Sequence, residues 1–379
     1  MAGGAEAVLS LEPNSAIRIC YHSDFGSHDE ILLLEVDDKL LPDILQQRTS
    51  VRGLQDEDAV LCTPSATYAL KFVGNSNSVF LIPPANATND ETSHSNLSII
   101  APVIKIAPGN MELVHVAPKL DKLKTLLAKN PYRPEEEEQG DEDYNLQSGL
   151  YRWEDLTNIV QASDEELKGE LQALSAVEIG GYWRLVEEKA MGQILTLLLH
   201  NSVLCDWSLA SLKEDEVVAT LVADGFSRTL ALHCLETYGF KENRADECVW
   251  GLDPKKVCVY FARQVLGDGK KKMENFMDEW ARRIPTGMVA SLEMLEGEVL
   301  MEKVGIETWI RVFSASSLPS TPAERFAALF QERQKWERKD LNPYIRNLRV
   351  PGMSLEGLLI KYTRRTQPKA DVEPVFSAR

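Results

Sequence analysis

Apolar and polar positions follow two different rhythms along this chain. Up to residue 118, "IRICY" (Ile17 to Tyr21), "YALKFV" (Tyr68 to Val73) and "MELVHV" (Met111 to Val116) alternate with period two, the spacing of half-buried strands. "ILLLEV" (Ile31 to Val36), "SVFLIPP" (Ser78 to Pro84) and "SIIAPVIKI" (Ser98 to Ile106) are denser apolar runs that need cover on both faces. "GNSNS" (Gly74 to Ser78) and "PPANATND" (Pro83 to Asp90) punctuate them as turns. The pattern predicts a β-rich region over residues 1–118. It is either a small barrel or sandwich closed within the chain or a barrel completed by a partner. In the second case the region alone is expected to be poorly soluble.

Residues 119–148 read as one helix (Lys119 to Asn130) and a linker. Seven of the ten residues in "PEEEEQGDED" are acidic, and self-repulsion without apolar residues keeps such a segment solvated. Beyond it the apolar period becomes 3.6. Ser163 and Glu166 form a capping box ahead of Leu167, Leu171 and Leu174. Further helices are predicted at Glu187–Ser202, Lys213–Ala223, Ser227–Tyr238 and Asp253–Leu266, the last starting with an Asp cap and Pro254. Met273, Phe276, Met277, Trp280 and Ile284 mark another, "TPAE" (Thr321 to Glu324) starts the next, and helices near Leu341–Leu348 and Ser354–Tyr362 close the chain.

Two hairpins interrupt the helices. In "AVEIGGYWRLV" the pair Gly180-Gly181 supplies the positive φ angles that a two-residue turn needs. "EVLMEKVGIETWIRVF" (Glu298 to Phe313) repeats the theme, again with tryptophan on the returning strand, and "DECVWGLD" is a weaker third copy. Trp183 and Trp309 are therefore expected to anchor wing strands in the core. Helices followed by a hairpin, repeated, is the pattern of tandem winged-helix domains. The fold class expected is α+β, with a β-barrel-like N-terminal region and winged-helix modules at 149–253 (one or two), 254–318 and 319–379.

The net charge of −17 argues against nucleic-acid binding by the whole surface, but the charge is unevenly spread. From Thr321 to Arg379 there are 12 Lys and Arg against 7 Asp and Glu, so the last module is basic on an acidic body. On the helix from Ser354, Leu355, Leu358, Leu359 and Tyr362 form the inward face, which leaves Lys361, Arg364 and Arg365 at its end. Arg346 and Arg349 extend that patch. No aromatic or Asn/Gln array accompanies it, so sequence-independent phosphate contact is the DNA chemistry expected.

Little else carries chemistry. There is no phosphate loop, G-x-G-x-x-G after a strand, G-x-S-x-G or H-E-x-x-H, and no His pair at metal-ligand spacing. No cofactor, metal or catalytic residue is expected. The six scattered cysteines suit reduced, buried thiols in a cytosolic or nuclear protein. The first residues lack a signal-peptide pattern, and no apolar run reaches membrane-spanning length.

"DEWARRIPTGMVASLEMLEG" (Asp278 to Gly297) and "LPSTPAERFAALFQERQKWERKDLNPYIRNL" (Leu318 to Leu348) resemble the DCC family, defective in sister chromatid cohesion. "QASDEELKGELQALSAVEIGGYWRLVEE" and "YALKFVGNSNSVFLIPP" are similar to its corresponding parts. Matching segments run in order from about Ile17 to Lys361. The acidic linker and the tail after Arg365 do not match. The resemblance implies a nuclear, non-catalytic subunit of an alternative replication factor C clamp loader. In such a complex the β region joins the small and large chromosome-transmission-fidelity subunits. The winged-helix part contacts the catalytic subunit of DNA polymerase epsilon and DNA. PCNA is then reached indirectly, and sister chromatid cohesion is supported. A winged-helix chromatin or transcription factor scaffold remains the alternative, though it leaves the dense β region unexplained.

Overall fold

The computed structural model describes residues 17–83, 99–134, 149–244, 247–348, 350–367 and 373–379. The chain divides into two compact units, Met1–Val116 and Ala117–Arg379, and the whole is of mixed α+β class.

The first unit holds strands β1 (Ile17–Tyr21) and β2 (Leu34–Glu35), helix α1 (Leu41–Leu45), and strands β3 (Ser50–Arg52), β4 (Val60–Cys62), β5 (Thr67–Leu81), β6 (Ile99–Val103) and β7 (Lys105–Val116). Five of them make one sheet in the order β2-β7-β5-β4-β3, while β1 and β6 pair in parallel as a separate ribbon. Among the described residues the sheet is open, with β2 and β3 at its edges, rather than a closed barrel. The turn expected at "GNSNS" is instead the middle of one long strand. β5 pairs with β7 from Thr67 opposite Val116 to Leu81 opposite Lys105, with the register shifting between Gly74 and Val79. Glycine permits this crossing. A Cβ on Gly109 would lie 2.1 Å from the Val73 carbonyl oxygen, so only a residue without one lets the two strands approach there. The run "ILLLEV" yields just the two-residue β2.

The second unit repeats one construction. Its first segment contains α2 (Asp121–Ala128), α3 (Trp153–Ile159), α4 (Asp164–Ala173) and the hairpin β8 (Ala176–Ile179)–β9 (Tyr182–Leu185). Gly180 and Gly181, at φ +60° and +84°, form its two-residue turn, and Tyr151 bridges antiparallel to Trp183. The second segment runs α5 (Glu188–Leu204), β10 (Leu212–Lys213), α6 (Glu214–Ala223), α7 (Arg228–Tyr238), β11 (Gly239–Arg244), β12 (Glu247–Leu252). The third runs α8 (Pro254–Leu266), β13 (Lys271–Lys272), α9 (Met273–Arg283), a 3-10 turn (Leu292–Leu295), β14 (Val299–Val304), β15 (Glu307–Val312). The fourth runs α10 (Pro322–Glu332), β16 (Lys335–Glu337), α11 (Arg338–Ile345), α12 (Leu355–Tyr362), β17 (Thr363–Thr366), β18 (Val375–Ala378). In each of the last three a short strand pairs antiparallel with the final strand of a hairpin, giving the orders β10-β12-β11, β13-β15-β14 and β16-β18-β17.

Local chemistry starts the helices. The Ser163 hydroxyl accepts from Glu166 N–H at 3.3 Å while the Glu166 carboxylate accepts from Ser163 N–H at 2.8 Å. Asp253 accepts from the amides of Lys255 and Lys256 ahead of Pro254. At Thr321 the hydroxyl donates to the Glu324 carboxylate at 2.5 Å instead of accepting from a first-turn amide.

Every segment has its own core. Leu123, Leu156, Leu167 and Leu171 fill the first; Ile194, Leu198, Leu235 and Trp250 the second; Cys258, Phe276, Trp280 and Ile310 the third; Phe326, Leu329, Trp336 and Tyr344 the fourth. The two tryptophans expected as anchors are only half-buried. Trp183 packs against the first cluster. Trp309 packs in none of the four and lies under the Lys272 ammonium, 5.8 Å from its ring centroid. Alternation along β15 is the reason: Ile310 faces inward and is fully buried, so Trp309 beside it faces out. Trp280 and Trp336, on a helix and on a short strand, are fully buried.

His233 on α7 is buried beneath this unit's surface. Burial lowers its pKa below the usual histidine value, and a backbone hydrogen bond with Ser175 offsets only part of that. A histidine held neutral in the fold but free to protonate when unfolded makes the unfolded state bind more protons at acid pH. Its contribution is therefore complete above the unfolded pKa and is lost as pH falls through the folded one. Urea unfolding should show the chain losing stability as pH falls below about 6.5, with a shallower loss in His233→Asn. Equal slopes for both chains would remove His233 as a source of the pH dependence.

Candidate nucleic-acid interface

The end of α12 and the hairpin after it concentrate exposed cations. Ser354 caps the helix by accepting from Gly357 N–H at 3.2 Å. Leu358 and Leu359 are buried, with Leu355 and Tyr362 half-buried against the same cluster. Lys361 ends the last turn, its ammonium 5.3 Å from the Tyr362 ring centroid. Thr363 is buried and donates to the Leu359 carbonyl at 2.6 Å, which turns the chain directly from helix into β17. Arg364 then lies opposite Ser377 and Arg365 opposite Phe376 on an edge strand. Consecutive strand residues face opposite ways, so the two arginines flank the hairpin instead of sharing one face.

Arg346, just past α11, is exposed and lies 3.9 Å from the Glu296 carboxylate. Arg349 lies outside the described residues. A cation that the helical pattern could not indicate joins the group. Strand pairing places Thr363 opposite Ala378, and the next residue, Arg379, donates to the carbonyls of Ile360 (3.0 Å) and Lys361 (3.3 Å). It covers the C-terminal end of α12, where positive charge is favoured. Among the described residues Lys361, Arg364 and Arg365 have no carboxylate within ion-pair distance, and Arg365 donates only to the Gln367 side chain at 2.8 Å.

The basic triplet Lys270-Lys271-Lys272 is the opposite case. Its ammonium groups meet Glu302 (2.9 Å), Glu279 (2.6 Å) and Glu307 (2.6 Å) in turn. The first two carboxylates are held below the usual range, chiefly by those lysine hydrogen bonds. These charges are neutralised within the protein.

The helices preceding the other hairpins offer phosphates little. α4 presents Asp164, Glu165, Glu166 and Glu170 against Lys168. α7 buries Leu230, Ala231, His233, Cys234, Leu235 and Tyr238. The third segment has only a 3-10 turn at that place. α12 itself exposes Glu356, Ile360 and Lys361, a single cation.

Among the described residues no three His, Cys, Asp or Glu side chains come together as a metal site. No helix there is long and apolar enough to cross a membrane. The cysteines are free. Cys62, Cys234 and Cys258 are buried, burial pushing the Cys234 thiol up to about 12, but Cys205 and Cys248 are exposed, against the expectation that all are buried.

Residues 31–345 match the family model described as "Sister chromatid cohesion protein Dcc1", a match that stops short of Lys361 and the final hairpin. The human "Sister chromatid cohesion protein DCC1" is 34% identical over 343 residues, covering 88% of this chain and 85% of the human protein. The mouse protein of that name is 33% identical over 325 residues, covering 83% and 78%. The Xenopus tropicalis protein is 32% identical over 371 residues, covering 93% and 90%. The chain thus belongs to the Dcc1 family of sister chromatid cohesion proteins.

Proposed function

We propose that this chain is a non-catalytic, nuclear subunit of an alternative replication factor C clamp loader that supports sister chromatid cohesion. Its first unit joins the small and large chromosome-transmission-fidelity subunits in a shared barrel. Its helical segments are four tandem winged-helix modules, which contact the catalytic subunit of DNA polymerase epsilon and DNA. PCNA is engaged through the other subunits, which also hydrolyse ATP.

The observation that carries the reading is the unfinished first unit. Its buried residues are few among those described, while Ile19 (56% exposed) and Tyr21 (69%) on β1, Leu45 (72%) on α1, Val51 (65%) on the edge strand β3 and Phe72 (56%) on β5 stand open. Among the described residues the five-stranded sheet ends at β2 and β3. Such a surface supports a partner that adds strands and apolar cover. DNA contact is assigned to the hairpin β17–β18, because its cations have no acidic partner among the described residues and the other segments present acidic, buried or missing helices at that place. Binding through phosphates is sequence-independent.

Capture of the full-length chain from nuclear extract, followed by mass spectrometry, tests the reading. Clamp-loader subunits and the polymerase should co-purify in defined ratio. Recovery of neither, with transcription or chromatin complexes instead, would overturn it.

A further inference from the structure

The first and last helical segments, far apart in sequence, are joined at one small junction. The Asp121 carboxylate at the start of α2 accepts three hydrogen bonds from Ser320: the amide at 2.9 and 3.0 Å and the hydroxyl at 2.5 Å. One turn along, the Lys124 ammonium donates to the Ser316 carbonyl. Behind them Arg325, 6% exposed, is held by the carbonyls of Pro319 (2.6 Å) and Tyr344 (3.2 Å) and by the Asn347 side chain (2.6 Å). An open groove of about 780 Å³ elsewhere runs between α5 and α8, but at this junction the groove is smaller, about 650 Å³, and lined by Asp121, Lys124, Ser317 and Glu324.

Thr321 comes directly after the bonded serine, and its hydroxyl meets Glu324, which lines that groove. It is exposed, has extended backbone (φ −76°, ψ 134°) and is followed by Pro322. The chain contains just one other Thr-Pro pair, at Thr63, and no Ser-Pro. Thr63 is 4% exposed, within the β unit.

We propose that Thr321 is a phosphorylation site for a proline-directed protein kinase, and that its modification opens the junction between the first and last helical segments. The Thr321 Oγ1 attacks the γ-phosphorus of ATP, the bond from that phosphorus to the ADP oxygen breaks, and the hydroxyl proton passes to the kinase's base. ADP leaves, and the threonine gains a phosphate of about −1.5 to −2 charge. That group replaces a hydroxyl that donates to Glu324 at 2.5 Å with one that only repels it. It also stands one residue from the hydrogen bonds that Asp121 receives.

Attraction acts in the other direction, from the start of α10 and from Lys124 and Lys129. Lys124 is already engaged with the Ser316 carbonyl. Lys129 lines the same groove from its other end, at the C-cap of α2, about 12 Å from Asp121. Arg325 has its donors committed. The start of α10 carries only about half a unit of positive charge, against the full charge of the Glu324 carboxylate that the Thr321 hydroxyl touches at 2.5 Å, so that repulsion decides the sign. Opening releases the C-terminal segment, with its uncovered cations, from the segment that α2 belongs to.

The test treats the folded full-length chain with a proline-directed kinase and ATP, maps the phosphate by mass spectrometry, and follows amide hydrogen exchange. Phosphate should appear on Thr321 of the native chain. Exchange at the Ser320 amide and along α2 should then quicken by about tenfold. Thr321→Val should take up no phosphate there and keep its protection, while Asp121→Asn should quicken exchange without kinase. Modification only after unfolding, or a phosphorylated chain whose Ser320 amide exchanges unchanged or more slowly, would overturn the proposal.

Discussion

Replacing Trp336 with alanine should destabilise the C-terminal segment by about 3–5 kcal/mol, the cost typical of emptying a buried aromatic site. Trp336 is fully buried on a three-residue strand, and its ring meets Tyr344 edge-on with centroids 5.5 Å apart. Its indole N–H donates to the carbonyls of Leu329 (3.0 Å) and Arg333 (2.8 Å), the last turn and the cap of α10. Truncation therefore leaves a cavity and also removes the donor that closes the end of a helix. Denaturant unfolding of the full chain and of the variant, followed by far-UV circular dichroism, measures the effect. Trp309→Ala is the contrast: half-buried and outside every core cluster, it should cost about 1 kcal/mol. Equal losses for the two would mean that burial in this structure does not rank the tryptophans.

Replacing Lys361, Arg364 and Arg365 together by glutamate should weaken DNA binding by on the order of a hundredfold at low salt, uniformly across sequences. Each phosphate contact contributes about 0.9 to the slope of log affinity against log salt, so the slope should flatten by about 2 to 3. All three side chains are exposed, so thermal stability should hardly change. The triple replacement of Lys270, Lys271 and Lys272 by glutamine is the internal control. Those lysines already face Glu302, Glu279 and Glu307, and their loss should leave the slope almost unchanged. A folded Lys361/Arg364/Arg365 variant with the original slope would take the hairpin out of the DNA interface.

Much of the local structure was legible in the residues. Ser163 with Glu166, Asp253 with Pro254, and Gly180-Gly181 each act within four residues, through caps and turn angles that need no distant partner. The helices at Glu214–Ala223, Arg228–Tyr238 and Pro254–Leu266 follow from apolar period and caps together. The inward face of α12 follows from period alone. Lys361, Arg364 and Arg365 could be picked out as a candidate group because they follow that face in order. The family resemblance was equally legible, since it rests on long blocks of sequence.

What the residues could not convey was partnership. β10 and β13 have two residues each and β16 three, too short to signal as strands; they exist because β12, β15 and β18 pair with them. "GNSNS" looks like a turn by composition, and becomes strand because Gly109 across the ladder admits the Val73 carbonyl. Arg379 joins the basic group only through the pairing of β17 with β18.

By itself, then, the sequence determined where helices and hairpins begin, which side of each is apolar, that the class is α+β, and the family. Tertiary structure alone decided which tryptophans are buried, which cations remain uncovered and which segments meet. Trp309 and Ile310 are both apolar in a string of letters, and only the sheet's placement over α9 turns one inward. Lys272 and Lys361 are the same residue type, separated in character by Glu307, 35 residues from the first. Asp121 reaches Ser320 across 199 residues. Periodicity records the direction in which a side chain leaves its own element. The group it meets there belongs to another element, and that is set only when the elements pack.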